Sequence, residues 1–363
     1  MQIELAHCRD FARGAAVLGT GGGGDPYIGR LLLEQALARS GPARVISVDD
    51  LEDDALVVMV GGIGAPTVAV EKLVGLTEGE RALRALEARL GRKVTALISP
   101  EIGGLNALYP VAMAAYLRLP VVNADSMGRA FPEMQMTSLN IAGQRLSPLV
   151  LSDEHGDTLI IESSDNSRLE KLARPVVVSM GGAAMVAVCP MSGGVVRACT
   201  IRDTLSLALG IGRSISVARE AQRDPFDALF GYLRASEYYR HCKLLFEGKV
   251  VDIRRETLHG WAIGHVVLEE LTGERLTITF RNEYLRAQRD GRTVAIVPDL
   301  IAILDRETAE PITTENLKYG QRVKVIGASA PPILRSARGL EVCGPEAFGF
   351  DEPFLPIEST SKY

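Results

Sequence analysis

The sequence is poor in the groups that cross-link chains or hold soft metals. Its 363 residues include five cysteines and five histidines. Cys8, Cys189, Cys199, Cys242 and Cys343 are scattered, odd in number and without a CxxC pair, so neither a disulfide framework nor a zinc knuckle is indicated. They read as small buried apolar residues. His7, His155, His241, His259 and His265 form no HxH or HExxH pattern, which removes a dedicated zinc motif. His155 reads as a solvated turn residue and His241 as a linker or helix end. No GxSxG elbow occurs, and Ser192-Gly193-Gly194 reads as small-residue packing. No apolar run approaches a membrane span, and Met1-Gln2-Ile3-Glu4 lacks a signal-peptide layout. The net charge is −5, with acids and bases interspersed, so no nucleic-acid footprint is visible. The expectation is a soluble, cytoplasmic chain with neither nucleic acid nor membrane as partner.

Glycine, by contrast, is concentrated. Gly19-Thr20-Gly21-Gly22-Gly23-Gly24 ends in Asp25-Pro26, a carboxylate cap followed by a proline suited to a first helical turn. Such a run is entropically costly unless the backbone needs unusual torsions or a close approach. Residues 8–18 before it have helical spacing, with Phe11, Ala15 and Leu18 on one side. The order is therefore helix, glycine loop, helix. A dinucleotide fingerprint would need a strand before the glycines, so no nicotinamide or flavin is expected. The loop can still cradle an anion at the following helix N-terminus, or serve only as a tight turn that Asp25 caps.

From about residue 43 the pattern alternates. Arg44–Val48, Ala55–Val60, Val94–Ile98 and Pro120–Asp125 read as strands; Thr77–Leu90 and Asn106–Leu119, with Asn106 as cap, read as helices. The continuous apolar run of 55–60 suits a strand buried on both faces. Leu146–Glu162 reads as a hairpin turning at Asp153–Asp157. Residues 168–235 hold helical segments around small-residue patches. Short strands follow at 248–253, 264–268, 275–280, 294–297 and 322–326, and Glu358–Tyr363 reads as a frayed tail. The reading is an α/β domain, residues 1–167, around a mostly parallel sheet, and a β-rich domain, residues 168–363, built as a barrel or sandwich with some helices.

Ligands bind outside the carboxyl ends of parallel strands. Three of the strands end in Gly61-Gly62-Ile63-Gly64, in Ser99-Pro100-Glu101-Ile102-Gly103-Gly104, and in Asn123-Ala124-Asp125. If they share an edge, Glu101, Asn106, Asp125, Arg129 and Glu133 converge there, roofed by Gly21, Gly22, Gly23, Gly24 and Asp25. Two carboxylates in different environments can divide acid and base work, and Glu101 and Asp125 are the pair for it. Three gathered carboxylates also leave room for a divalent metal. Arg129 either orients a substrate carboxylate or neutralises Asp125. Arg281-Asn282-Glu283-Tyr284 is a polar cluster that either faces an interdomain cleft or forms a turn.

Taken together, Leu18–Pro26, Pro100–Gly104 and Asp125–Glu133 resemble the DUF917 family, named for S-methyl-thiohydantoin desulfurase. Phe280–Glu283, Val297–Ile301 and Cys343–Gly349 fit the same pattern, while Asn123 and Ser126 depart from it. The resemblance implies a Rossmann-like first domain and a β-rich second one. It also implies hydrolysis of hydantoin-like five-membered rings, with release of methanethiol from an S-methyl substrate. A small-molecule substrate and, from base rates for cytoplasmic enzymes, a homo-oligomer complete the expectation. Two other readings stay open: a non-catalytic binding or accessory subunit of a hydantoinase or oxoprolinase system, and a phosphate- or nucleotide-binding enzyme using the loop Gly19–Gly24.

Overall fold

The computed structural model describes residues 1–65, 68, 72, 75–258 and 261–360. Pro66, His259 and the tail beyond residue 360 lie outside the described residues. The chain opens with β1 (Gln2–Ile3), α1 (Cys8–Leu18), the glycine loop and α2 (Pro26–Ser40). Phe11, Ala15 and Leu18 are all buried, because their spacing gathers them on one side of α1. Asp25 caps α2, its carboxylate accepting from the Tyr27 N–H at 2.7 Å, and Pro26 takes the first helical position.

The alternating segment gives β2 (Ala43–Ile46), β3 (Leu56–Gly64), α3 (Leu76–Leu90), β4 (Ala96–Ser99), α4 (Gly104–Leu117) and β5 (Val121–Asp125). Strands β2, β5, β4 and β3 lie side by side in that order, all parallel. Their carboxyl ends therefore share one edge. Next come α5 (Ser138–Ile141) and the antiparallel hairpin of β6 (Leu149–Ser152) and β7 (Thr158–Ile161). Helix α6 (Asn166–Ser179) follows, with Asp165 as its cap.

The chain then returns to the same sheet. Strand β8 (Ala183–Ser192) pairs antiparallel with β3 and with β6, on segments that sequence spacing assigns to helices and small-residue patches. Ala183, Ala184 and Ala187 carry no strand preference of their own. Eight residues of β3 pair along this strand, and tertiary pairing overrides local propensity. The Ser192 hydroxyl caps α7 (Gly193–Cys199), accepting from the Val195 N–H at 3.3 Å. Strand β9 (Ile201–Arg202) pairs with β5, and α8 (Thr204–Glu220) and α9 (Pro225–Ala235) complete the first half. Among the described residues the result is a nine-stranded mixed sheet with a parallel centre.

The second sheet holds β10 (Cys242–Leu258), β11 (Trp261–Glu269), β12 (Arg275–Arg281), β13 (Glu283–Arg289), β14 (Arg292–Ile296), β15 (Leu300–Asp305), β16 (Pro311–Ile312) and β17 (Arg322–Ala328). Among the described residues its strands number eight and are antiparallel, in the order β14-β13-β12-β11-β10-β17-β15-β16. Alternation explains it: in β12, Leu276, Ile278 and Phe280 are buried and the residues between them are not. A last helix, α10 (Ala337–Cys343), leads to the tail. All five cysteines are free and buried. Among the described residues, no helix is long and apolar enough to cross a membrane.

Candidate functional site

A cavity of about 140 Å³ lies at the carboxyl edge of β3 and β4. Met59 and Ile63 of β3, Leu105, Met127, Phe131, and Met185 and Val186 of β8 give it apolar walls. Gly23 and Gly24 close one side. Its polar groups are few: Glu101, Asn106, Thr137, Arg174, Asn282 and Glu283. That composition is the usual one for a small-molecule site.

Glu101 follows β4 and is buried. Its Oε1 accepts from Asn106 Nδ2 at 2.7 Å, and its Oε2 from the Phe131 N–H at 3.1 Å. Asn106 is pinned in turn by Gly62 of β3, donating to its carbonyl at 3.1 Å and accepting from its N–H at 2.7 Å. This corrects the cap assignment: α4 starts earlier, with Gly103 at the cap, and Asn106 spends its amide on Gly62 and Glu101. Burial pushes the Glu101 carboxyl up to about 7. Its hydrogen bonds and Arg129 oppose the rise, while the charge of Asp125 adds to it.

Asp125, at the end of neighbouring β5, sits behind that wall and does not line the cavity. One oxygen, Oδ2, accepts from three backbone N–H groups: Ile102 at 3.0 Å, Met127 at 2.9 Å and Gly128 at 2.7 Å. The Thr204 hydroxyl lies close by, yet Oδ1 has no partner in hydrogen-bonding geometry. Burial raises this carboxyl to about 7 as well, against the pull of its N–H donors. Its visible task is to hold the loop that carries Glu101.

Arg129 neither faces the cavity nor forms an ion pair with Asp125 among the described residues. Its side chain is fully buried, and all its donors are used. Nε reaches the Ala130 carbonyl, Nη1 those of Pro298 and Asp299, and Nη2 the Thr20 hydroxyl and the Tyr284 carbonyl. It ties the glycine loop to the second sheet. Glu133 pairs with Arg281 at 2.7 Å, outside the cavity lining. Asp25 stays at its cap. Gly21 packs on the Tyr284 ring, and Gly23 stands at φ +79°, where a Cβ would come 2.5 Å from the Gly103 carbonyl. So Glu101, Asn106, Gly23 and Gly24 meet at the cavity, and Asp125, Arg129, Glu133, Asp25, Gly21 and Gly22 do not line it.

The carboxylates expected to gather for a metal do not. Asp125 faces backbone N–H groups and Glu133 faces Arg281. Among the described residues, no group of three or more His, Cys, Asp or Glu side chains could hold an ion.

The second domain supplies a group that the strand-end argument does not select. Glu283 is 2% exposed and lines the cavity, and its Oε2 has no hydrogen-bond partner. Asn282 before it stands at φ +58°, a left-handed conformation that asparagine tolerates. Its Oδ1 accepts from the Ala262 N–H at 2.8 Å, fixing the turn between β12 and β13. A side chain at Gly22 would run into the Glu283 carboxyl. Burial pushes Glu283 well above the usual carboxylate range, and the charge of Glu101 adds to the rise. The signal in sequence is the polar run Arg281-Asn282-Glu283 after the apolar Phe280, which does not say which sheet it faces.

Two family models match the chain with this geometry: S-Me-THD-like, N-terminal domain, over residues 6–163, and S-Me-THD-like, C-terminal domain, over residues 164–357. The chain belongs to the S-Me-THD-like family. The border between the matched domains falls just before α6, so β8 and β9 reach back from the second match to the first sheet. An X-ray crystal structure of a protein from Chromobacterium violaceum, 24% identical, shares the fold. The superposition has a TM-score of 0.82 and covers 98% of this chain and 100% of that one. No curated protein matches.

Proposed function

We propose that this S-Me-THD-like chain is a hydrolase of neutral, hydantoin-like five-membered rings, with Glu101 as the group that exchanges protons with water and substrate. The observation that carries the reading is a carboxyl raised to about 7 in the wall of an apolar cavity, at the edge where parallel strands present ligands. At neutral pH such a group is divided between its two forms. It can accept a proton in one step and return it in the next.

With an S-methyl thiohydantoin the balance is as follows. Water attacks the ring carbon bearing sulfur, and its proton passes to Glu101. The C–O bond forms, the C=N electron pair moves to the ring nitrogen, and Glu101 returns the proton to that nitrogen. The C–S bond then breaks with its electron pair going to sulfur. The new hydroxyl passes its proton through Glu101 to the departing sulfur as the ring carbonyl forms, and methanethiol leaves. The apolar walls exclude bulk water and suit an uncharged ring.

Asp125 serves as the support of the Glu101 loop, and the Asn106 amide orients the carboxyl. A phosphate reading of the glycine loop is disfavoured by the Glu283 carboxyl, which occupies the space against Gly22 that an anion would need. The test is incubation with S-methyl thiohydantoin and with hydantoin, reading methanethiol and ring opening. Turnover by the wild type that Glu101→Gln abolishes supports the reading. Equal turnover by both proteins removes Glu101 from it.

A further inference from the structure

Glu283 has no task in that mechanism, yet the fold goes to some length to bury it. It lines the cavity from β13 of the second sheet. Arg129 is nearby but has all its donors on other acceptors. A buried carboxylate oxygen without a donor is costly, whereas a protonated one can donate to a neighbour. The neighbour of opposite need in the same cavity is Glu101, whose two hydrogen bonds leave further lone pairs to accept with.

We infer that Glu101 and Glu283 hold one proton between them and work as a single acid–base unit, one half supplied by each domain. Two carboxyls confined in one apolar cavity cannot both ionise cheaply, so the loss of one proton holds the other in place. The charged and titratable groups around the pair are Asp125 behind Glu101, Arg129, whose charge acts on both, and Arg174 in the cavity wall. Arg174 is engaged with Glu170 at 2.6 Å. One proton on two carboxyls presents one O–H donor and one anionic acceptor. That matches a ring edge with an N–H beside a carbonyl or imine.

The inference deepens the proposed hydrolase and rests on it for its purpose, but its test needs no substrate, so the two can fail separately. The wild-type chain is labelled with [δ-¹³C]glutamate and titrated by NMR from pH 4 to 10, with Glu101→Gln and Glu283→Gln used to assign the two carboxyl signals. The label leaves Asp125 silent. The expected result is that both signals in the wild type move in two common steps. In each variant the surviving carboxyl titrates once, its midpoint lowered by at least one pH unit, a tenfold change in proton affinity. Independent single-step titrations, with midpoints unmoved by the partner's substitution, overturn the inference. If a variant fails to fold, the wild-type titration alone decides, since uncoupled carboxyls show one step each.

Discussion

Glu101 and Asp125 stand at the ends of neighbouring parallel strands, and the comparison between them is instructive. Both are buried, and burial raises both carboxyls to about 7. Their hydrogen bonds differ in kind. Asp125 gathers three backbone N–H groups on one oxygen, all from the loops that follow β4 and β5. Glu101 takes one side-chain amide and one N–H, and keeps a face on the cavity. A displaced titration therefore does not mark a functional group by itself. The lone pairs left over, and the space they face, separate a group free to react from one that braces a loop.

The largest expected effect falls on the cavity side of that comparison. Glu101→Gln keeps the shape and removes the proton exchange, and should lower the rate of hydrolysis by about 10²- to 10⁴-fold. Asp125→Asn should cost the rate far less. Steady-state rates of the two variants, with folding checked by circular dichroism, measure the contrast. A greater loss in Asp125→Asn than in Glu101→Gln would reverse the roles.

Next in size is the brace. Asp125→Ala leaves the N–H groups of Ile102, Met127 and Gly128 buried without their acceptor, and should cost about 3 kcal/mol or more. Glu101→Ala orphans fewer donors, one of them the adaptable Asn106 side chain, and should cost less. Urea unfolding at pH 7 ranks the two, and equal losses would erase the distinction.

The pH dependence comes third. In the unfolded chain Glu101 titrates near 4.5, and in the folded chain near 7. Between those values the folded chain binds the proton that the unfolded chain has released. Its contribution is fully present below 4.5, falls as pH rises, and is gone above 7. The shift is worth at most about 3.5 kcal/mol at 1.4 kcal/mol per unit. Glu101→Gln removes this slope, so the variant should gain on the wild type between pH 5 and pH 8. A difference between the two proteins that stays constant with pH would mean that Glu101 is not displaced.

The parts of this site were unequally legible in the sequence. Strands β3, β4 and β5 announce themselves by apolar runs ending in glycine or polar turns, and a shared parallel edge brings Glu101 and Asn106 near Gly62. Asp25 is readable as a cap because its partners are local. What was not legible depends on partners far along the chain. Strand β8 is rich in alanine and takes its form from β3, so one wall of the cavity has no local signature. Glu283 arrives from another sheet, and only the folded contact with Gly22 explains both residues. Arg129 looks like a substrate clamp until five acceptors, four of them far from it in sequence, use up its donors.

Glu133 gives the smallest effect and sharpens the comparison from outside. Sequence spacing groups it with Glu101 and Asp125, but its carboxylate is 18% exposed and bonded to Arg281 and Gln135. Arg281 has a second anchor, because its guanidinium lies 4.1 Å from the centre of the Trp261 ring. Removing the negative charge therefore leaves the arginine in place. A partly solvated ion pair contributes about 0–1 kcal/mol, so Glu133→Gln should move the urea midpoint little and the rate less than about twofold. A rate loss comparable to that of Glu101→Gln would place Glu133 in the chemistry, and the distinction between carboxylates that face the cavity and those that surround it would have to be redrawn.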